Sequence, residues 1–450
     1  MLGSINKTTK MIATALVLIY SLFIVTSCAS PAQVPAANES QNSAQPASSP
    51  KPSDLANGKT IKIGVIYALT GPSAPTGLDQ KSALELGVEL VNNKHPEIKL
   101  PFAATEGIPS LGGAKLELIF ADSQGSPEKG ASEAERLINQ EHVVVLMGSY
   151  QSSVVATASQ VAEREGIPFF VVESSSPSLT SRGFKYIFRQ GPNDNTFGEQ
   201  TFNYINEVKD KYNIKTIAMI YENTAFGTDS AKKWTEMAGK GGYKIVENIA
   251  YPANTTSMTS EVQRLKAANP DIVLAASYVS DAVLMMKTFK EMSYMPNLIA
   301  QDAGFVEKGY FDMLGKDAEY TVTRETFCPD FTSVNENAKK ISEMMKEKYG
   351  IANLNGNTAR AVQAPFIIAD ALERAKSTDP KAIRDALAST DIPSENLILP
   401  WDGIKFDESG QNTKVSVMIC QVQNGKYVTV WPEKFATSKI IFPYPAWDKR

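Results

Sequence analysis

The chain has 450 residues, of which 43% are hydrophobic and 21% charged, and its formal net charge is −4. This composition is typical of a globular protein of two or three domains and gives no electrostatic reason to expect nucleic-acid binding. With two histidines and three cysteines, the sequence offers too few ligands for a His/Cys metal cluster, and we expect neither a metal nor a cofactor.

The first residues predict an export signal. Lys7 and Lys10 precede an uncharged apolar run of 15 residues, 11–25, which is too short to span a membrane comfortably and has the length of a signal-peptide core. The run ends in "VTSC" (25–28), which resembles the bacterial lipobox. We therefore predict a lipoprotein signal peptide over 1–27 and lipidation of Cys28, the alternative being an ordinary signal peptide with an incidental cysteine.

Residues 28–58 predict a flexible tether between that anchor and the folded part. The segment 29–59 has no aromatic residue, and its only large aliphatic residues are Val34 and Leu55, so it cannot bury enough surface to offset its ordering entropy. Export also allows disulfides. Cys328 and Cys420 are then the candidate pair, although two buried free thiols are an equal alternative.

From residue 60 onwards, strand and helix patterns alternate with a period of about 25 residues. The first series predicts strands over 61–69, 115–122, 143–149 and 168–172, with helices over 79–93, over 128–140 and from Ser153. Such alternation is typical of βαβ units and of a parallel sheet covered on both faces.

A second series with the same order begins after Arg189. It predicts helices over 195–212, 227–239, 257–270 and 281–292, and strands over 215–222, 243–252, 271–280 and 296–302. Three more helices (about 334–349, 359–376 and 380–389) and short strands near 403–406, 416–425 and 426–431 follow. Two similar α/β lobes with parallel central sheets are the simplest interpretation.

Serines follow two neighbouring strands of the first series at their carboxyl ends. Ser152 and Ser153 come after one strand, and residues 174–176 come after the next. Parallel α/β sheets bind ligands at this edge, and hydroxyls beside a helix start favour a carboxylate or a phosphate. For Ser153 alone, a helix N-cap without any ligand is the stronger alternative.

The sequence contains no recognisable catalytic motif. It has no Gly-x-Ser-x-Gly elbow, no histidine placed to serve a serine, no P-loop after the glycine-rich turn 71–77 and no Gly-x-Gly-x-x-Gly after the first strand. We therefore expect binding without turnover. Because acidic residues are numerous, an exported hydrolase that uses a carboxylate pair stays open as an alternative.

Five segments carry a resemblance to a known family. They are "IKIGVIYALTGPSAPTGLDQKSALELGVELVN", "GSYQSSVVATASQVAEREGIPFFVVESSSPSLTSRGFKYIFR", "IAMIYENTAFGTD", "RLKAANPDIVLAASY" and "VTVWPEKFATSKIIFPYPAW". In this order they resemble the substrate-binding lipoproteins of ABC importers of the leucine/isoleucine/valine-binding type. The resemblance covers nearly all of 60–450.

The resemblance implies the type I periplasmic-binding fold, in which three crossovers join two lobes and a hinge motion closes them over the ligand. On this chain, lobe 1 would comprise 59–190 with 328–415, and lobe 2 would comprise 191–327 with 416–450. The closed form would dock on an importer permease in the membrane. We expect a monomer that is exported and lipid-anchored, either in the periplasm or on the outer face of the cell membrane.

The resemblance also implies roles for particular residues. The carboxylate-binding serine falls at Ser152 and a second hydroxyl at Ser175. The aromatic residue that faces the ligand falls at Tyr278, and the acid that takes the ligand ammonium falls at Asp302, whose alternative role is a cap or turn residue. An amino acid or a related small molecule would be the ligand.

Three positions depart from the family pattern. Thr76 and Phe226 stand where relatives often have tyrosines, and Phe226 could simply pack beneath its turn. Glu173 stands where relatives usually have a small residue, so it could select a cationic or amide-bearing ligand, or it could point to solvent. The side chain of the ligand therefore stays open, with amides, urea and aromatic acids as alternatives, and a tethered ligand sensor is the alternative function.

Overall fold

The structure is a computed structural model that describes residues 60–301 and 303–450. The predicted signal peptide, Cys28, the whole predicted tether 28–58 and Asp302 lie outside the described residues. The described residues form an α/β fold with two large sheets and a small two-stranded one.

The strands are β1 (Thr60–Tyr67), β2 (Lys115–Asp122), β3 (Val145–Gly148), β4 (Phe169–Val171), β5 (Ile187–Arg189), β6 (Thr216–Glu222), β7 (Lys244–Tyr251), β8 (Ile272–Ala276), β9 (Leu298–Gln301), β10 (Val322–Glu325), β11 (Asp391–Pro393), β12 (Gly403–Lys405), β13 (Met418–Gln423) and β14 (Lys426–Trp431). The helices are α1 (Ala74–Asn92), α2 (Pro127–Asn139), α3 (Ser152–Glu165), α4 (Asp194–Tyr212), α5 (Ala225–Gly241), α6 (Thr259–Ala268), α7 (Val279–Glu291), α8 (Lys308–Leu314), α9 (Glu336–Tyr349), α10 (Gly356–Ala375) and α11 (Pro380–Ala388).

The first sheet has the strand order β2-β1-β3-β4-β5, and all of its pairs are parallel. Its two faces pack into different cores. Ile63 and Val65 of β1 belong to the core that also contains α1 and α10, while Ile66 packs with residues of α2 and α3. Burial on both faces accounts for the nearly continuous apolar runs of these strands.

The second sheet has the strand order β14-β13-β10-β9-β8-β6-β7. Strands β6 to β10 pair in parallel, whereas β13 is antiparallel to both β10 and β14. Sequence patterns did not predict β10, which has only four residues and includes Thr323, Arg324 and Glu325, all of them buried. A buried strand with polar side chains lacks the apolar run that identifies strands in a sequence.

The chain enters the second sheet twice. It leaves the first sheet after β5, returns from the second sheet after β10 through helices α9 to α11, and enters the second sheet again between β12 and β13. The first sheet is therefore one continuous segment of the chain, whereas the second sheet combines β6 to β10 with β13 and β14.

Helix α1 begins at Ala74, five residues before the predicted start at 79. Pro75 lies in its first turn, where the fixed φ of proline suits a helix and its missing N–H leaves no partner unsatisfied. The glycine- and proline-rich stretch 71–77 is therefore partly helical, although the sequence suggested a turn. Thr76, predicted to face the ligand, is fully buried within this helix.

Cys328 and Cys420 form a disulfide with a Cα–Cα distance of 6.6 Å. Cys328 follows β10 and Cys420 lies in β13, the neighbour of β10, so the bond joins the segment that leaves the second sheet to a strand within it. Of the two alternatives that the sequence left open, the structure has the paired form. Within the described part of the chain, no helix combines the length and the apolar character needed to cross a membrane.

Candidate ligand-binding site

A small cavity lies between the lobes at the carboxyl ends of strands from both large sheets. It encloses about 250 Å³, including its opening to solvent. We call it the serine cavity, and its lining residues are Tyr150, Ser152, Glu173, Ser174, Ser175, Phe226, Tyr278, Ala303 and Asn357. This is the edge at which parallel α/β sheets bind ligands.

The structure brings together five of the residues singled out in the sequence, namely Ser152, Glu173, Ser175, Phe226 and Tyr278. Thr76 and Ser153 are not among the lining residues. Helix α3 begins at Ser152 with Gln151 as its N-cap residue, so Ser153 lies inside the first turn. The interpretation of Ser153 as an N-cap is therefore wrong, because the helix starts one residue earlier than the sequence suggested.

The turn before Ser152 depends on a glycine at the end of β3. Gly148 has φ +119°, and a Cβ atom there would lie 2.3 Å from the carbonyl oxygen of Ile66 in the neighbouring strand β1. Only glycine fits such a close backbone approach at this φ. Gly148 thus allows the chain to leave the sheet and to start α3 directly above the strand ends.

Ser152 presents both its hydroxyl and its backbone amide at the start of α3. Its side-chain Oγ accepts a hydrogen bond of 3.3 Å from the backbone N–H of Ser176, which ties together the loops after β3 and β4. Burial raises the pKa of the Tyr278 hydroxyl well above its ordinary value, and the negative charge of Glu222 adds a smaller rise. A hydrogen bond with the backbone N–H of Ser152 lowers this pKa. The start of α3 therefore favours negative charge in the cavity, as a helix N-terminus does in general.

Ser175 is held by the next helix of the chain. Its carbonyl oxygen accepts a hydrogen bond of 2.9 Å from the N–H of Asp194, the first residue of α4. Asp194 is fully buried. Burial raises its pKa to about 7, and the charge of Arg324 and a hydrogen bond with the Ser175 side chain oppose the shift. A buried acid thus lies directly behind the second hydroxyl of the cavity.

Glu173 turns inward, which rules out the solvent-pointing alternative. Only 5% of the residue is exposed, and its Oε2 accepts a hydrogen bond of 2.5 Å from the hydroxyl of Tyr67. Arg360 donates to its carbonyl oxygen at 3.4 Å. Burial and then Glu173 raise the pKa of Tyr67 well above the ordinary value, because a phenolate would lie beside a carboxylate.

An aromatic wall from both lobes closes the cavity. The ring centroids of Tyr150 and Tyr278 lie 5.1 Å apart, and those of Phe226 and Tyr278 lie 5.4 Å apart. Phe226 thus packs against a neighbouring ring and also lines the cavity, so its packing role and its ligand-facing role coexist. The rings offer apolar contact next to the two serine hydroxyls.

Sequence reasoning missed Tyr150, Ala303 and Asn357 as lining residues, and it included Ser174 only as a member of the serine cluster 174–176. The side chain of Asn357 donates to Glu307 Oε1 at 2.7 Å and accepts from Arg360. It enters the cavity from α10, far along the chain from the serines, and no local pattern connects the two. Tyr150, which lies between the glycine turn and Ser152, is the one that the motif "GSYQSS" could have indicated.

Other polar contacts join the lobes around the cavity. Ser176 hydrogen-bonds to Asp229 of α5, and Asn355 donates to the carbonyl oxygen of Val306 at 3.0 Å. Among residues 60–301 and 303–450, no group of three or more His, Cys, Asp or Glu side chains is placed to hold a metal ion. The arrangement suits the noncovalent capture of a small molecule that carries an anionic group.

Comparison with known proteins identifies the family. A model of the periplasmic binding proteins matches residues 60–426. The chain belongs to this family. It is 31% identical over 393 residues to the Leu/Ile/Val-binding protein homolog 7 of Brucella suis, with 85% of this chain and 94% of the relative covered. With homolog 8 of Brucella abortus it shares 30% identity over 395 residues, covering 85% and 93%.

Solved structures of this periplasmic binding protein fold resemble the chain as well. A leucine-binding protein of Thermotoga maritima is 21% identical, with a TM-score of 0.68 and coverage of 82% of this chain and 97% of the other. A substrate-binding protein of Streptococcus pneumoniae in complex with isoleucine is 21% identical, with a TM-score of 0.69 and coverage of 83% and 100%. A solute-binding protein of R. palustris in complex with benzoate is 18% identical, with a TM-score of 0.70 and coverage of 82% and 95%. These likenesses confirm the type I periplasmic-binding fold.

Proposed function

We propose that this periplasmic binding protein captures an amino acid or a related small carboxylate in the serine cavity and delivers it to an ABC importer permease, without chemical turnover. The observation that carries the proposal is the meeting of Ser152, Ser175 and the start of α3 with the Tyr278 wall of the other lobe in one small buried space. Hydroxyl and amide donors suit a carboxylate, and the rings suit an apolar side chain.

The two large sheets would be the cores of two lobes that open and close around this cavity. The proposed boundaries are 59–190 with 328–415 for lobe 1 and 191–327 with 416–450 for lobe 2. Three connections between the proposed lobes, after β5, after β10 and before β13, would act as the hinge, because a few connecting residues can absorb the rotation of two rigid lobes. Asp302, which follows β9 in the chain, stays our candidate for the ligand ammonium.

Lipidation of Cys28 would hold the protein at a membrane surface without inserting the lobes. The tether 28–58 would leave them free to reach a permease. This part of the proposal is tested by mass spectrometry of the mature protein from its native host. An acylated N-terminal cysteine at position 28 is expected, and a mature N-terminus elsewhere contradicts it.

Calorimetric titration tests the proposed binding function. The purified full-length protein is unfolded and refolded to remove bound ligand, then titrated with the twenty amino acids, benzoate, urea and short amides. A hydrogen bond to a charged group contributes about 1.5–3 kcal/mol, so Ser152→Ala should weaken binding of the best ligand by about 10- to 150-fold.

Ser153→Ala is the matched control, because Ser153 is the next residue of the same helix turn but does not line the cavity. Its dissociation constant should stay within about twofold of the wild-type value, which is a much smaller change than the loss of one charged hydrogen bond would cause. Equal losses in both variants would show that the ligand does not bind at Ser152. Formation of a product during the titration would contradict binding without turnover.

A further inference from the structure

Ser176 lies beside the serine cavity without lining it, and its polar groups contact three different elements. Its backbone N–H donates a hydrogen bond of 3.3 Å to the Oγ of Ser152 at the start of α3. Its carbonyl oxygen accepts one of 2.6 Å from Arg189 at the end of β5. Its hydroxyl donates to the carboxylate of Asp229 on α5. Because Ser176 is fully buried, these protein groups take the place of water as its partners.

Asp229 is the partner that belongs to the other sheet. Helix α5 packs on β6 and β7 of the second sheet, whereas α3 packs on β4, and β5 is itself a strand of the first sheet. The bond between Ser176 and Asp229 therefore crosses from one sheet layer to the other. An arrangement in which α5 moves away from the first sheet loses this bond, whereas the bonds to Ser152 and Arg189 can remain.

Asp229 also acts on Arg189 through its charge. Burial lowers the pKa of the Arg189 guanidinium to about 10, and the negative charges of Asp194 and then Asp229 oppose this shift. Arg189 in turn donates to the carbonyl oxygen of Ser176 and, at 3.0 Å, to the hydroxyl of Thr180. Asp229 thus stabilises the loop after β4 in two ways, directly at the Ser176 hydroxyl and indirectly through the cation that binds the Ser176 carbonyl.

The bond from Ser176 determines what the Ser152 hydroxyl can do. A serine hydroxyl has one hydrogen to donate and two lone pairs that accept. The N–H of Ser176 occupies a lone pair of the Ser152 oxygen, so the hydroxyl hydrogen stays available for an acceptor in the cavity. A donor that is already held in place binds a carboxylate better than one that must first be oriented, because less rotamer entropy is lost on binding.

We propose that Asp229 is a positioning residue for ligand capture, which acts through Ser176 to hold the Ser152 hydroxyl as a donor when the two lobes meet. Asp229 does not line the cavity, so it acts without touching the ligand. The inference rests on the proposed function, because it assigns a role at the same site. It makes the strength of the bond between Ser152 and the ligand depend on a contact between the lobes outside the cavity.

A double-mutant cycle in titration calorimetry tests this role. The refolded full-length protein is titrated with whichever of the twenty amino acids and benzoate binds the wild type most tightly. Asp229→Ala should weaken binding about fivefold or more, the size expected for a half-buried hydrogen bond to a carboxylate. The affinity loss caused by Ser152→Ala should then be at least about threefold smaller in the Asp229→Ala background than in the wild type.

Thr228→Ala is the matched control. Thr228 is the exposed neighbour of Asp229, and its hydroxyl donates to the carbonyl oxygen of Thr224 at the start of its own helix at 2.7 Å. This variant should change neither the affinity nor the loss caused by Ser152→Ala. Should Asp229→Ala not fold, Asp229→Asn, which keeps the shape of the side chain and removes its charge, takes its place in the cycle with the same expected sign.

The outcomes separate this inference from the proposed function. Independent, additive losses from Asp229→Ala and Ser152→Ala would show that Asp229 does not act through Ser152, and would overturn the inference while leaving the binding function intact. If the wild type binds none of the amino acids and no benzoate, the proposed function fails, and the role of Asp229 in it fails as well. Hydrogen exchange at saturating ligand gives a second readout, because the amide of Ser176 should exchange faster in Asp229→Ala than in Thr228→Ala. Equal exchange in the two variants would also overturn the inference.

Discussion

Asp194 should make the stability of the protein depend on pH in an unusual direction. Its carboxyl group is fully buried at the start of α4, and its Oδ1 lies 3.7 Å from the guanidinium of Arg324. Burial outweighs that cation and raises the pKa from 3.8 to about 7. Most salt-bridged acids have a lowered pKa, so their contribution to the free energy of unfolding grows as the pH rises. The contribution of Asp194 should instead fall as the pH rises.

The magnitude follows from the linkage between protonation and folding. Between pH 3.8 and 7 the folded protein holds the Asp194 proton, which the unfolded chain has released. The free energy of unfolding therefore falls as the pH rises through this window. The full stabilisation is present below pH 3.8, and the contribution is lost by about pH 7. A shift of about three pKa units corresponds to about 4 kcal/mol.

Urea denaturation of the wild type and Asp194→Asn at pH 4, 5, 6, 7 and 8 measures this contribution. Asparagine carries no titrating proton, so the stability of the variant relative to the wild type should rise by about 4 kcal/mol from pH 4 to pH 8. Asp210→Asn, at an exposed position of the same helix, is the control for the removal of a carboxyl group from α4. A difference for Asp194→Asn that falls with rising pH would show that Arg324 keeps the carboxylate ionised, and would refute the reasoning.

Two further predictions concern the disulfide and the backbone beside the cavity. The Cys328–Cys420 bond spans a sequence separation of 92, for which the loop-entropy relation gives a stabilisation of about 4.6 kcal/mol. The variant with both cysteines replaced by alanine should lose about this much unfolding free energy in urea denaturation. Equal unfolding free energies of the variant and the wild type would contradict this prediction. A Cβ at Gly304 would lie 2.3 Å from the carbonyl carbon of Tyr278, so Gly304→Ala should displace that residue and weaken ligand binding in calorimetry, whereas unchanged affinity would show that the contact can relax.

Sequence patterns predicted most of the strands and helices, although not β10, because most of the strands have a simple physical signature. Strands buried on both faces, such as β1, β3, β6 and β8, are short continuous apolar runs, and the helices between them have apolar residues at helical spacing. The position of Ser152 and Ser175 at the carboxyl ends of neighbouring strands followed from this alternation alone. Their lining of one cavity was therefore predictable before any contact was known.

The rest of the cavity depends on contacts between distant parts of the chain. Asn357 reaches it from α10, and the hydroxyl of Tyr67, the last residue of β1, donates a hydrogen bond to the Glu173 carboxylate. Such pairings are set by how helices pack on a sheet, which no local pattern encodes. The orientation of Glu173 was undecidable from the sequence for the same reason, since its partner is 106 positions away.

The start of α10 connects the lining of the serine cavity to the contact between the lobes. Arg360 donates to the carbonyl oxygen of Glu173 and to the side chain of Asn357, and Asn357 donates in turn to Glu307 of the other lobe. If the lobes separate as proposed, the Asn357–Glu307 bond breaks, and a hydrogen bond to a charged group contributes about 1.5–3 kcal/mol to the state that has it. A ligand that adds even one charged hydrogen bond can then decide the lobe arrangement. Because Asn357→Ala removes the bond to Glu307 from the closed arrangement, it should weaken binding of the serine-cavity ligand by about 10-fold or more. Calorimetry measures this loss, and an unchanged affinity would contradict it.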